Sequence, residues 1–128
     1  MVVGYLPSSF DLLNVRDLDL ISQAAARCER LVLGVLSDEM VEALTGRRPV
    51  VPLAERLLLV SHVRGVHQTV PHDLSRFMEL GADTVVFAAA DEVAPWSSEA
   101  VVTLTPRRDT QSAILRNALR PTEREAVA

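Results

Sequence analysis

The sequence predicts an α/β domain: a doubly wound parallel sheet of about five strands with helices on both faces. Three observations carry this. Apolar runs of strand length at residues 2–6, 31–36, 83–88 and 100–104 lack polar alternation, as strands covered on both faces do. Segments with apolar residues at helical spacing separate them. Hydrophobic residues make up 48% of the 128, yet only one Trp, one Tyr and three Phe are present, so Leu, Val and Ala must fill the core.

Residues 2–6 (VVGYL) form the first strand, and Pro7, Ser8 and Ser9 break it into a tight loop. Over 15–28, Leu18, Ile21, Ala25 and Cys28 fall at helical spacing. Residues 31–36 (LVLGVL) are the second strand. Ser37 then caps a helix with Asp38 and Glu39 in its first turn, running to about Leu44 and ended by Gly46. Residues 47–51 form a loop, and Pro52 occupies the first turn of a helix over 53–63. A strand over 66–70 is stopped by Pro71, and a helix over 72–80 takes Gly81 as its C-terminal cap. Strands at 83–88 and 100–104 and a last helix at 110–119 complete one domain over 1–120, with a tail at 121–128 expected to fray.

All the basic residues, thirteen in number, are arginine. The absence of lysine excludes a Walker A loop and a Schiff-base amine, which need the ammonium group itself. Seventeen acidic residues bring the net charge to -4, which argues against a nucleic-acid partner. A single cysteine, Cys28, excludes an internal disulfide and any multi-cysteine metal site; it reads as a small helix-end residue. No run approaches the ~18 apolar residues of a membrane span, and the expected location is the cytoplasm. His62, His67 and His72 are evenly spaced but share no face, so no metal site is expected from them. In doubly wound sheets ligands bind beyond the carboxyl ends of the strands, where strand order reverses, so the loop over 6–14 is the first place to seek function.

That loop opens on Gly4-Tyr5-Leu6-Pro7-Ser8-Ser9-Phe10-Asp11-Leu12-Leu13. Further motifs follow in order: Cys28 to Val35, Ser37-Asp38-Glu39, Gly46 to Arg56, and Val63 to Val66. Together they resemble the cytidylyltransferase-like nucleotidyltransferases, especially glycerol-3-phosphate cytidylyltransferases and related actinobacterial adenylyl- and cytidylyltransferases. The likeness is in good register over roughly the first 70 residues. It implies a Rossmann-like fold, a homodimer, and joining of a substrate phosphate to the α-phosphate of CTP or ATP with Mg2+, releasing pyrophosphate. The physics of that reaction is stabilisation of transition-state charge. The resemblance assigns nucleotide binding to Pro7, Ser8, Ser9 and Phe10, to Arg47, Arg48 and Arg64, and to Arg107, Arg108, Thr110 and Ser112.

The likeness fails where the family carries HxGH: here stand Asn14-Val15-Arg16-Asp17. Asn14 donates only a neutral hydrogen bond, Arg16 replaces a glycine that lets the nucleotide approach, and Asp17 sets a carboxylate among phosphate oxygens. Phe87-Ala88-Ala89-Ala90-Asp91 likewise replaces a polar segment near the base, with Trp96 displaced. The expectation is a catalytically impaired member that keeps weak nucleotide or phosphate binding, or serves as a regulatory or oligomerisation partner. The alternative is an active transferase on a small phosphorylated alcohol, with Arg16 supplying the lost charge. Read without the resemblance, Asn14 and Asp17 look like a capping box. Arg47 and Arg48 are then a solvated pair, and Arg56 bridges to Glu55 or Asp38. Of Arg56 and Arg64, the reading places Arg64 toward the site.

Overall fold

The computed structural model describes residues 2–72, 84–89, 101–107 and 119. In chain order they form β1 (Val3–Ser8), α1 (Val15–Ala25), β2 (Arg30–Leu36), α2 (Asp38–Thr45), α3 (Leu53–Ser61), β3 (Val66–His72), β4 (Thr84–Ala89) and β5 (Val101–Leu104). The strands make one sheet in the order β3-β2-β1-β4-β5, every neighbouring pair parallel. The doubly wound α/β fold is therefore borne out. The helix expected over 72–80, apart from His72, lies outside the described residues, as does that over 110–119 apart from the helical Leu119.

One face of the sheet carries the larger core. Leu6, Leu31, Leu33, Val35, Phe87, Ala89 and Leu104 meet Leu20, Ile21 and Ala24 of α1 and Val60 of α3. On the opposite face Leu36 and Ala88 pack with Val41 of α2. The caps of α2 follow the sequence reading, whereas Pro52, expected in the first turn of α3, is its N-cap, and α3 ends at Ser61 rather than 63. Ser37 Oγ accepts from the Met40 amide at 3.1 Å, and Gly46 ends α2 in the left-handed region at φ 79°, where glycine carries no Cβ penalty.

Two prolines contradict the expected strand ends. β1 runs through Pro7 to Ser8, and β3 runs through Pro71 to His72. Proline has no N–H to give, so it is tolerated where a neighbouring strand does not need one. β3 is the edge of the sheet, with β2 as its one partner. β1 is central, but its pairing with β4 ends at Tyr5, two residues before Pro7, while pairing with β2 continues to Ser8. The expected helix start at His72 is also corrected. His72 is a buried strand residue whose Nδ1 hydrogen-bonds with the Tyr5 hydroxyl across the sheet. α1 ends at Ala25 rather than Cys28, whose Sγ instead donates to the Ala24 carbonyl.

Candidate functional site

The strand order reverses between β1 and β4, which fixes the crevice of a doubly wound sheet at their carboxyl ends. Here that crevice has a local cause. β1 leaves β4 after the Tyr5–Val86 pair, and β4 goes on to Ala89 paired with β5 alone. The gap opens beside Pro7, and the loop from Ser9 to Asn14 leads from it to the N-terminus of α1.

That loop is held in a costly shape. Phe10 and Leu12 are non-glycine residues at φ 51° and 54°, a region that costs about 1–3 kcal/mol per residue and persists only where surroundings enforce it. Three groups enforce it. The Phe10 side chain is buried in the main core. Asp11 accepts the amides of Val50 and Val51, both at 2.9 Å, tying the loop to the segment before α3. Arg56, fully buried, donates to the carbonyls of Ser9 (2.8 Å), Leu36 (2.7 Å) and Val51 (2.8 Å) and to Asp38 Oδ1 (2.6 Å). The pairing with Asp38 was one of two expected from sequence. Between Arg56 and Arg64, however, it is Arg56 that underlies the loop.

Asn14 is the N-cap of α1. Its Oδ1 accepts from the amides of Arg16 (3.0 Å) and Asp17 (3.1 Å), and its Nδ2 donates to the Leu12 carbonyl at 3.1 Å. The capping role read from the sequence holds for Asn14, and Asp17 lies buried in the first helical turn. Asn14→Ala should cost about 1 kcal/mol, measured as a lower urea midpoint with unchanged slope. An unchanged midpoint would refute the cap as a stabilising contact.

The remaining site residues divide. Pro7, Ser8, Ser9 and Phe10 stand at the mouth of β1, and Arg107 stands three residues past the end of β5. Arg48 is engaged on the surface with Glu42 (2.9 Å) and Glu39 (3.5 Å), near Asp38 (3.9 Å); Arg47 is exposed on the same loop. Arg64 precedes β3, so it lies at the amino-terminal ends of the strands, away from the loops over 9–14 and 105–107. Arg108, Thr110, Ser112, Asp91 and Trp96 lie outside the described residues.

Asp19 and Asp11 were not singled out by sequence. Asp19 Oδ2 accepts from the Arg107 amide (2.7 Å) and Gln23 Nε2 (3.1 Å), and Oδ1 from the Arg107 guanidinium (3.3 Å). Gln23 also donates to the Thr105 carbonyl, so α1 is fastened to the end of β5. A carboxylate between Leu18 and Leu20, with a polar residue four positions on, was the one available signal. The Arg107 backbone N–H, followed by the Gln23 amide and the Arg107 charge, holds the Asp19 carboxyl below its ordinary value of 3.8, against the opposing effect of burial. A folded-state pKa below the unfolded one stabilises the fold above the unfolded pKa, and the contribution is lost as pH falls through the folded value. Wild-type stability should therefore decline below about pH 4 more steeply than that of Asp19→Asn, by urea unfolding at a series of acid pH values. Parallel curves would remove Asp19 as a source of acid sensitivity.

Magnesium, implied by the family resemblance, finds no cradle among these acids. Both oxygens of Asp11 accept amides, Asp19 is bound to Arg107 and Gln23, and Asp38 to Arg56. Among the described residues, no group of three or more His, Cys, Asp or Glu is placed to hold a metal ion.

A parallel five-stranded sheet with its crevice at the β1–β4 reversal is the frame of a Rossmann-like, doubly wound α/β domain. Residues 5–114 match the cytidylyltransferase-like family, and the chain belongs to that family. It is 30% identical over 131 aligned residues to the bifunctional protein HldE of Acidiphilium cryptum, covering 89% of this chain and 26% of that protein. With ethanolamine-phosphate cytidylyltransferase of Arabidopsis thaliana it shares 36% identity over 66 residues, 52% of this chain and 15% of the plant protein. The chain thus spans about a quarter or less of the length of these relatives. Among solved structures, the lipopolysaccharide core biosynthesis protein from Thermoplasma volcanium superposes with a TM-score of 0.73. That match has 17% identity and covers 84% of this chain and 99% of that one, a likeness of fold. No helix among the described residues is long and apolar enough to cross a membrane.

Proposed function

We propose that this chain is a cytidylyltransferase-like domain that no longer transfers nucleotidyl groups and retains only weak binding of a nucleotide or phosphate. One observation carries the reading: the α1 amides of Arg16 and Asp17 are taken by the chain's own Asn14 side chain. A helix N-terminus holds an anion through such free amides and its positive dipole end. Here an internal oxygen meets them, and Asp17 adds a negative charge to the same turn. Losing one preorganised donor costs about 3 kcal/mol of transition-state stabilisation. Two imidazoles of the family motif are absent, and the acid repels the charge that a phosphoryl transition state develops.

The reading keeps binding because the frame of the site survives. The strained Ser9–Asn14 loop beside the crevice is held in shape by Asp11 and Arg56. The relative named for ethanolamine phosphate suggests a small phosphorylated alcohol as the ancestral acceptor class. The test is pyrophosphate release from CTP or ATP with magnesium and either glycerol 3-phosphate or phosphoethanolamine. Release at the protein-free rate is expected. Robust turnover abolished by Arg16→Ala would instead establish a rearranged active site.

A further inference from the structure

We propose that the Asp19 carboxylate is an internal counter-anion that weakens the hold of the anion-binding groups at the end of β5 on phosphate; this rests on the reading of the site just given. Arg107 offers Asp19 a backbone N–H at 2.7 Å and a guanidinium N–H at 3.3 Å, and Gln23 adds a side-chain donor at 3.1 Å. A backbone amide beside an arginine fork is the donor set a phosphate oxygen takes. The carboxylate side chain is 6% exposed, so the donors are satisfied from inside the protein.

The cation itself faces outward. The Arg107 side chain is 70% exposed, and with Val15, Leu18, Asp19 and Ser22 it lines a cleft of about 440 Å³. That volume falls in the range of about 300–1,000 Å³ found for small-ligand sites. The wall of the cleft therefore pairs a guanidinium with a carboxylate of the same chain. An anionic ligand entering there meets repulsion from Asp19 in addition to attraction from Arg107. The ligand class is a di- or triphosphate group, and the charge at residue 19 sets how tightly it is held.

Inorganic pyrophosphate titrated calorimetrically into wild type, Asp19→Asn and Asp19→Asn/Arg107→Gln tests this. Asparagine keeps an oxygen for the Arg107 amide while removing the charge. Asp19→Asn should bind about tenfold or more tightly than wild type, and the gain should vanish in the double variant. Equal affinities in wild type and folded Asp19→Asn would overturn the proposal, as would a gain that persists without Arg107. Should Asp19→Asn not fold, Asp19→Ser is read by the same criterion. Failure of both to fold would also overturn it, because the contact would then be structural. Wild-type turnover would sink the reading of the site, whereas this titration turns on the charge at residue 19 alone.

Discussion

Arg56→Ala is expected to lose about 3–5 kcal/mol of stability, the usual cost of removing one partner from a buried ion pair. The guanidinium is wholly buried and answers four acceptors from separate stretches of chain: Ser9, Leu36, Val51 and Asp38. Asp38 is 25% exposed and can regain some water, so much of the loss falls on the three carbonyls. A domain of this size has only about 5–15 kcal/mol in hand, so the variant should lose a large share of it. Arg56→Lys should recover little, because one ammonium cannot span acceptors that the planar fork reaches from three nitrogens. Circular dichroism with urea titration decides the matter. A midpoint corresponding to less than about 1 kcal/mol of loss in Arg56→Ala would mean the network is incidental.

The second large effect is expected at Gly34. A Cβ there would fall within the Tyr5 ring and hydroxyl, which cross β2 on their way to His72 in β3. Tyr5 is 2% exposed and held at its far end by His72, so it cannot swing aside. Gly34→Ala should therefore cost about 1–3 kcal/mol as an overpacked core position. The cause is checkable by pairing: Tyr5→Val relieves the clash, so Gly34→Ala should cost far less in that background than in wild type. Strictly additive losses would show that the collision is not with Tyr5.

Much of the architecture was legible because local physics writes it locally. Continuous apolar runs marked four of the five strands, Ser37 and Gly46 marked the ends of α2, and Asn14 marked the start of α1. Pro7 and Pro71 misled because a proline's cost depends on whether the neighbouring strand needs its N–H. That depends on strand order: β3 is an edge, and β1 has already left β4 at Pro7.

The arginines show the same division. From sequence, Arg56 was expected to bridge to Glu55 or Asp38, and Arg64 was placed toward the site. The fold sends Arg64 to the amino-terminal ends of the strands and buries Arg56 beneath the loop after β1. Asp11 with Val50 and Val51, and Asp19 with Arg107, were invisible for the same reason, since the latter partners lie 88 residues apart. No periodicity or spacing rule reports a contact of that span.

By itself, then, the sequence determined the class of fold, the loop that borders the crevice of the sheet, the departure of Asn14-Val15-Arg16-Asp17 from its family and a chain whose cations are all arginine. The tertiary structure decided where those arginines go: Arg56 into the core, Arg48 onto surface acids, Arg107 against Asp19. Composition and spacing act over a few residues. A guanidinium's role is set by the acceptors that chain crossing brings within about 3 Å, and those are chosen by topology.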